Sequence, residues 1–385
     1  MGKRDSASGT PSTTSTTEIR LSFTRQVFFF LILSMCLLSL AEAGIRAWAY
    51  FFRTSYERYN PTTKRLELVP NLRFQRGGDE FRVNSKGFVG PEFDQEKPRG
   101  IFRIISVGDS CTFTNGVWAR AYPARLERLL NKDRSATTFE VINAGIEGYN
   151  SALARARVTD EIPRYDPDMV TIYIGWNDLM KTSPQDSSTS EDVGLLSRLK
   201  QESYLFKAYR KLIFVYLRPL VSKPEVSAGG NNAHRFDEFV PRPYRGNVEA
   251  IIKTLKGHGV KVMIFTLSTV VTPDMSPQEL QKQNVVFPYY AGAFDVPALL
   301  ALVRAYNKVI LELAGTYGVP VVDLNATFAQ HDKRGLFWDT MHPNYLGNEI
   351  IAQAIGDRMA EIRSDAQQCR RYGWEDLCAR LGRSP

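Results

Sequence analysis

From residue 100 onward, short apolar runs alternate with longer stretches in which apolar residues recur every three or four positions. The runs are apolar at successive positions, which is typical of strands buried on both faces of a parallel sheet. The longer stretches have the periodicity of amphipathic helices. The alternation predicts an α/β fold, a three-layer sandwich with a five-stranded parallel sheet. The predicted strands cover residues 102–107, 139–143, 169–174, 261–267 and 319–324, and the predicted helices cover residues 121–130, 151–162, 248–255, 299–313 and 346–362.

Two stretches interrupt the alternation and are predicted to be insertions in a core domain of residues 100–365. The first, residues 181–246, contains a polar patch and a basic amphipathic segment over 195–217. The second, residues 272–297, is rich in proline and tyrosine. Loops at the C-terminal edge of a parallel sheet lie where ligands bind, so both insertions are candidate substrate walls. A solvated face and an ordinary surface loop are the alternative interpretations.

The N-terminal segment changes composition twice. Residues 1–26 are rich in Ser, Thr and Gly and are predicted to be a flexible tail. Residues 27–52 contain an apolar run of about fifteen residues, whose helix would span about 22 Å and fall short of a ~30 Å bilayer core. That length is typical of a cleavable signal peptide, here ending near Ala43. The aromatic residues after Ile45 favour an uncleaved transmembrane anchor instead. Both interpretations predict an exported C-terminal part.

The Pro and Gly content and the cysteines indicate the structure of the segments on either side of the core domain. Residues 53–99 are rich in Pro and Gly and are predicted to be an extended connector with one hairpin. Residues 366–385 are predicted to be a C-terminal tail in which Cys369 and Cys378 can form a disulfide, if the domain is exported. Since residues nine apart cannot pair along one straight helix, Gly373 would have to lie at a bend. Two free thiols are the alternative.

Composition narrows the possible function classes. The net charge of +8 suits an anionic surface such as a membrane or a polysaccharide, but the chain has no compact block of Lys and Arg that would indicate nucleic-acid binding. The four Cys and four His residues do not have the C-x-x-C or H-x-x-x-H spacing of zinc sites. Neither a metal nor another cofactor is predicted.

Polar segments follow three predicted strands, and another precedes the last predicted helix. Because the carboxyl ends of parallel strands lie at one edge of a sheet, these segments can converge in space. A Ser after a Gly at such a strand end can present its hydroxyl as a nucleophile, although most isolated Gly-Asp-Ser sequences are turns or helix caps. The segments are Gly-Asp-Ser at 108–110, Asn-Ala-Gly at 143–145, Gly-Trp-Asn-Asp at 175–178 and Asp-Thr-Met-His-Pro at 339–343.

Together the segments resemble the four signature blocks of the SGNH, or GDSL, hydrolase superfamily, which carry Ser, Gly, Asn and His in that order. The resemblance covers about residues 100–362. The Asn-Ser-Lys-Gly-Phe stretch at 84–88 looks like a segment found upstream of the catalytic domain in membrane-tethered relatives. Many relatives have Leu after the nucleophile, where this chain has Cys111, so the subfamily stays open. The resemblance implies a flavodoxin-like α/β fold and ester hydrolysis without a cofactor.

The resemblance also implies a role for each matching residue. Ser110 would attack an ester carbonyl, with His342 as its general base and Asp339 as the group that orients the imidazole. The oxyanion hole would comprise the backbone N–H groups of Ser110 and Gly145 and the side-chain amide of Asn177.

Other acidic residues are interpreted as structural. Asp109 and Asp178 are predicted to hold their loops by hydrogen bonds, and Asp323 is predicted to support the end of a strand. Cys111 is not predicted to be the nucleophile.

The sequence therefore predicts a serine esterase that removes O-acyl or O-acetyl groups through an acyl-enzyme. Its catalytic domain is predicted to be exported, periplasmic or extracellular, and tethered by the N-terminal segment, with secretion after cleavage as the alternative. An acylated glycan or lipid of the cell envelope is the expected substrate. The alternatives are an O-acyltransferase that acts on an envelope glycan and a non-catalytic envelope binding protein. In some exported acetyltransferases resembling this superfamily the Asp and His precede the serine, and here they follow it, which favours hydrolysis.

Overall fold

The protein was analysed as a computed structural model that describes residues 22–52, 56–132, 137–182, 233–236, 238–288 and 295–380, with Ser203, Leu205, Phe206 and Tyr209 in addition. The chain divides into two compact units. The first comprises residues 1–54 with 194–219, and the second comprises residues 55–193 with 220–385.

Strands and helices are numbered in chain order over the described residues. The strands are β1 (Glu57–Asn60), β2 (Arg65–Leu68), β3 (Arg73–Arg76), β4 (Asp79–Arg82), β5 (Ile101–Gly108), β6 (Thr138–Gly145), β7 (Met169–Tyr173), β8 (Lys261–Phe265) and β9 (Val321–Val322). The helices are α1 (Phe23–Phe52), α2 (Ser110–Phe113), α3 (Tyr122–Leu130), α4 (Ser151–Asp160), α5 (Trp176–Lys181), α6 (Arg242–Gly257), α7 (Pro277–Lys282), α8 (Val296–Tyr317), α9 (Leu324–Ala329), α10 (Tyr345–Ser364), α11 (Ala366–Tyr372) and α12 (Glu375–Arg380).

The first unit contains the N-terminal helix α1. Its segment Phe23–Ala47 has 25 residues, a mean hydropathy of 2.2 and no buried side chains. At 1.5 Å per residue this segment measures about 37 Å, which is enough to cross a bilayer. The helix is longer than the apolar run in the sequence because it continues through flanking polar and aromatic residues. A signal sequence meets the same criterion, so the segment is either an anchor or a signal.

The second unit is built on the five-stranded sheet, whose order is β6-β5-β7-β8-β9. All of its strand pairings are parallel. Long apolar runs make these strands, and every residue of β5 after Ile101 is buried. Helix α3 packs on α10, and α4 packs on α6. The predicted α/β fold is confirmed. The strand order reverses direction between β5 and β7, and open α/β sheets bind ligands at such a switch point.

Residues 56–99 do not form the predicted extended connector. They fold into two antiparallel hairpins, β1 with β2 and β3 with β4, where the sequence analysis expected one. Phe81 of β4 and the nearby Phe88 are fully buried at 0% exposure. This segment therefore belongs to the core of the second unit. The strands have four residues each and few apolar side chains, so they leave no apolar run in the sequence.

The Asn-Ser-Lys-Gly-Phe stretch at 84–88 attaches the hairpins to the sheet. The side-chain oxygen of Asn84 accepts a hydrogen bond from the N–H of Phe88 at 2.9 Å, which closes a tight loop. Val89 then donates its N–H to the carbonyl of Asn143 in β6 at 3.2 Å. The loop thus inserts Phe88 into the core and continues as a bridge to the sheet edge.

The two predicted insertions and the C-terminal tail have different outcomes. Most of 181–246, including nearly all of the basic segment, lies outside the described residues. The second insertion, 272–297, contains α7, and its residues 289–294 also lie outside them. Instead of an extended tail, residues 366–380 form α11 and α12, which bury Trp374.

Cys369 and Cys378 form a disulfide, the first of the two alternatives that the sequence left open. Gly373 lies between the two short helices with a φ of +67°, which makes the bend that the spacing requires.

Candidate active site

Ser110 follows the central strand β5 and begins the short helix α2. Asp109 caps this helix, because its Oδ1 accepts the N–H of Cys111 at 3.0 Å. The Ser110 side chain is partly exposed, whereas Cys111 is buried with its Sγ 3.4 Å from the carbonyl oxygen of Met341. Burial raises the pKa of the Cys111 thiol well above its usual value. The thiol therefore stays protonated, and the hydroxyl of Ser110 is the more accessible of the two groups in this turn.

A chain of hydrogen bonds joins Ser110 to the end of the core domain. Ser110 Oγ lies 2.7 Å from His342 Nε2, across 232 positions of sequence. His342 Nδ1 lies 2.7 Å from Oδ2 of Asp339 and 2.9 Å from its Oδ1. With the Nδ1–H donating to the carboxylate, Nε2 is left as an acceptor for the serine hydroxyl. The His342 and Asp339 side chains are 30% and 29% exposed, so solvent and small ligands can reach them.

The segment that carries His342 is held from two sides. Oδ1 of Asp339 accepts the backbone N–H of His342 at 3.0 Å as well as contacting its ring. Thr340 is fully buried, and its hydroxyl donates to the carbonyl of Val286 at 2.8 Å. Thr269, after β8, donates its hydroxyl to the Thr340 carbonyl at 2.6 Å. Because Val286 belongs to the insertion 272–297, part of that insertion supports the histidine loop.

Electrostatics strengthen His342 as a base. Burial acts to lower the pKa of the imidazole, but the hydrogen bond and negative charge of Asp339 and the charges of Asp109 and Glu147 raise it above its usual value. Burial acts to raise the pKa of the Asp339 carboxyl, but the hydrogen bonds with His342 lower it below its usual value. Asp339 therefore stays ionised, and its charge would stabilise an imidazolium at His342.

Asn177 and Asp178 follow β7, on the other side of the switch point from Ser110. The side-chain amide of Asn177 donates one N–H to the carbonyl of Tyr149 at 2.9 Å, and its second N–H makes no hydrogen bond within the described part of the chain. Asp178 accepts the backbone N–H of Ser151 at 2.9 Å and the Ser151 hydroxyl at 2.6 Å. Burial raises the pKa of Asp178 to about 6. Both side chains thus hold the loop between β6 and α4, as predicted for Asp178.

The structure contradicts the predicted oxyanion role of Gly145. Its backbone N–H donates to the side-chain oxygen of Asn143 at 2.9 Å and is not available to a substrate. Gly145 is buried, and a Cβ there would lie 2.3 Å from the backbone nitrogen of Phe113. The missing side chain lets helix α2 approach β6 closely, so this glycine positions the nucleophile turn.

Gly148, three residues further along, has the features that Gly145 lacks. It is exposed, its φ is +75°, and a Cβ would meet no atom within 4 Å. Among the described residues, no hydrogen bond uses its N–H. The carbonyl of its neighbour Tyr149 accepts the hydrogen bond from Asn177.

The sequence match decides the family. The model of the GDSL-like lipase/acylhydrolase family matches residues 106–350, which include Ser110, Asn177, Asp339 and His342. The chain belongs to this family. It is thus a member of the SGNH hydrolase superfamily, as the resemblance implied, and a hydrolase that acts on ester bonds.

Solved structures of similar fold include two esterases and a lipase. A comparison with curated proteins found no match. Axe2, an acetylxylan esterase from Geobacillus stearothermophilus, is 17% identical with a TM-score of 0.42, covering 67% of this chain and 93% of that one. The acetyl xylan esterase AlAXEase is 18% identical with a TM-score of 0.40, covering 66% and 98%. A GDSL-like lipase from Bacteroides thetaiotaomicron is 15% identical with a TM-score of 0.39, covering 68% and 88%. The family assignment rests on the sequence match alone.

Two buried asparagines connect the segments that form this GDSL-family site. The sequence analysis did not single them out as site residues. Asn143 donates its side-chain N–H to the carbonyl of Thr112 at 2.8 Å, which ties α2 to β6. Asn348 of α10 accepts the N–H of Tyr122 at 2.9 Å and the hydroxyl of Thr114 at 3.2 Å. It also donates to the carbonyl of Pro343 at 3.0 Å, so it links the segment after His342 to the segment after Ser110. Most of their partners are distant in sequence, so no local sequence pattern predicts these contacts.

The remaining predicted residues have structural roles. Asp323 accepts the hydroxyl of Thr266 at 2.8 Å and the N–H of Ala326 at 3.0 Å, as predicted for a strand end. Asp109 is buried at 1% exposure, and burial raises its pKa to about 6. Within the part of the chain that the structure describes, no three His, Cys, Asp or Glu side chains are placed to hold a metal ion.

Proposed function

We propose that the protein is a serine esterase that removes O-acyl groups through an acyl-enzyme on Ser110. The observation that carries this proposal is the chain of contacts from Ser110 Oγ to His342 Nε2 and from His342 Nδ1 to Asp339, each 2.7 Å long. The contact between Ser110 and His342 is short enough for the imidazole to take and return the serine proton, while Asp339 stays ionised and orients the ring. Binding alone requires no such chain, which argues against a purely structural envelope protein.

In the first half-reaction, Ser110 Oγ attacks the ester carbonyl while its proton passes to His342 Nε2. The imidazolium is stabilised by Asp339, and the carbonyl electrons move to an oxyanion. When the oxyanion collapses, the bond to the alcohol breaks and His342 gives its proton to the leaving oxygen. The product is an acyl ester of Ser110. In the second half-reaction, water attacks this ester, His342 takes and returns a proton, and the carboxylic acid leaves.

The oxyanion would accept hydrogen bonds from the backbone N–H of Ser110, the side-chain amide of Asn177 and the backbone N–H of Gly148. Gly148 replaces Gly145 in this role because the amide of Gly145 is used within the fold. Donors that are fixed before the reaction cost no reorganisation when charge develops on the substrate.

We propose further that α1 anchors the enzyme to a membrane and that the catalytic unit is exported. The disulfide between Cys369 and Cys378 supports export, because such bonds persist in oxidising compartments. An acylated glycan or lipid of the cell envelope fits this location and the net charge of +8. Hydrolysis and transfer to a sugar share the first half-reaction and differ only in what attacks the acyl-enzyme.

The test is hydrolysis of p-nitrophenyl acetate by the full chain in mild detergent, compared with Ser110→Ala and His342→Ala. Each substitution is expected to lower kcat/KM by about 10³-fold or more, because either one removes the activated nucleophile. Cys111→Ala is the control and is expected to keep the wild-type rate. Turnover that survives Ser110→Ala would remove the esterase assignment of this site. Adding a glycan acceptor separates hydrolysis from transfer through the product that forms.

A further inference from the structure

Tyr56 connects the first hairpin to two parts of the active site. Its ring stacks on Phe113, the last residue of the nucleophile helix α2, with 5.5 Å between ring centroids and 22° between planes. It also packs on the buried Phe81 of β4, with centroids 5.3 Å apart. Its hydroxyl donates a hydrogen bond to the carboxylate of Glu147. The aromatic contacts fix the ring, and the fixed ring aims the hydroxyl.

Glu147 lies in the loop between β6 and α4 and immediately precedes Gly148. Its side chain is exposed, so burial does not hold it in place. Gly148 has a positive φ in the turn that a long hydrogen bond closes, from the N–H of Tyr149 to the carbonyl of Ile146 at 3.4 Å. On the C-terminal side, the carbonyl of Tyr149 accepts the side-chain amide of Asn177. On the N-terminal side, Tyr56 holds Glu147.

The first hairpin contacts the same loop at a second point. The hydroxyl of Tyr149 donates to the carbonyl of Leu66 in β2 at 2.6 Å. Arg65, also in β2, pairs with Asp160 at the end of α4 at 2.9 Å. The β1–β2 hairpin therefore fastens the loop and the helix that follows it, although it supplies none of the residues of the hydrogen-bonded chain at Ser110.

We propose that Tyr56 is a positioning residue for the esterase reaction, which acts by holding Glu147 and so fixing the N–H of Gly148, a donor of the proposed oxyanion hole. This inference rests on the proposed function, because the oxyanion hole that Tyr56 would help to position is itself part of that proposal. Tyr56 does not touch the reacting atoms. Its effect passes through the loop, so it should stabilise the transition state more than the bound substrate.

The test measures kcat and KM for p-nitrophenyl acetate in the full chain carrying Tyr56→Phe, Glu147→Ala or both. Tyr56→Phe keeps the stacked ring and removes only the hydroxyl. We expect kcat to fall about 10-fold in each single variant with KM changed by less than about two-fold, because a displaced oxyanion donor weakens the transition state. Since the two groups act through one hydrogen bond, the double variant should lose no more than the worse single variant.

Tyr59→Phe is the matched control, because it removes a hydroxyl from β1 of the same hairpin, and it is expected to keep the wild-type kcat. Wild-type kcat in Tyr56→Phe would overturn the inference. So would losses that multiply in the double variant, a rise in KM at constant kcat, an equal loss in Tyr59→Phe, or a loss that follows a drop in Tm. Ser110→Ala is measured alongside: if turnover does not depend on Ser110, the proposed function itself fails and the inference fails with it.

Discussion

The C-terminal edge of the sheet and the N-terminal hairpins both contribute to the active site, but they contribute different kinds of residue. The C-terminal edge of the sheet carries the groups that we propose react with the substrate or stabilise its charge, since Ser110 follows β5 and Asn177 follows β7. The hairpins supply aromatic packing and a hydrogen bond to the loop at Glu147. Both regions are part of one core, and Phe81 is as deeply buried as Ile104 of β5. The site therefore depends on a segment that contributes none of the groups that would react with a substrate.

Deletion of the hairpins is expected to have the largest effect on the active site. A chain that begins at residue 100 would lose the buried side chains of Phe81 and Phe88, each worth about 1.5–3 kcal/mol of burial. We expect it to lose cooperative unfolding and all esterase activity, whereas removal of residues 1–54 should leave both intact. Thermal unfolding followed by circular dichroism is the measurement. A cooperative transition near the full-length Tm in the chain from residue 100 would show that the hairpins are dispensable.

The sheet edge is tested by Asn177→Ala. This change removes a side-chain donor of the proposed oxyanion hole together with its hydrogen bond to Tyr149. We expect kcat to fall by about 10²-fold with little change in KM, since the loss of one such donor has this size in other hydrolases. A full-rate Asn177→Ala variant would mean that the amide only holds the loop.

The variant Asp339→Asn tests how Asp339 affects the pKa of His342. His342 must be neutral to accept the serine proton, so kcat/KM should fall as pH decreases through its pKa. Asp339 raises that pKa, and Asp109 and Glu147 also face the ring as negative charges. Removing the Asp339 charge should therefore move the acidic limb of the profile to lower pH, with a rate loss of about 10-fold or more at the plateau. An acidic limb at the same pH as in the wild type would contradict the contact between Asp339 and His342.

The smallest effect is expected at the C-terminal disulfide, because it lies away from both regions in sequence and function. Replacing Cys369 and Cys378 by Ser should lower stability by about 2–3 kcal/mol, the range expected for a short closed loop. The kcat should stay within about two-fold of wild type. Differential scanning calorimetry and the ester assay measure the two quantities, and a large loss of activity at unchanged Tm would contradict this separation.

The sequence was most informative where function and periodicity coincide. Ser110, Asn177 and His342 could be placed because parallel strands end at one edge, and each residue lies just past a strand or before a helix. Gly145 was misassigned because Gly145 and Gly148 both follow β6, and only the hydrogen bond from the Gly145 amide to Asn143 separates them. Tyr56 could not be found, because it contacts Glu147 across 91 positions and the strand that follows it has no apolar run.

Whether His342 activates Ser110 can be measured by covalent labelling with a fluorophosphonate followed by peptide mass spectrometry. We expect one adduct, on the peptide that contains Ser110, and labelling at least about 10²-fold slower in His342→Ala. An adduct on another residue, or labelling of Ser110 at the same rate without the imidazole, would contradict it.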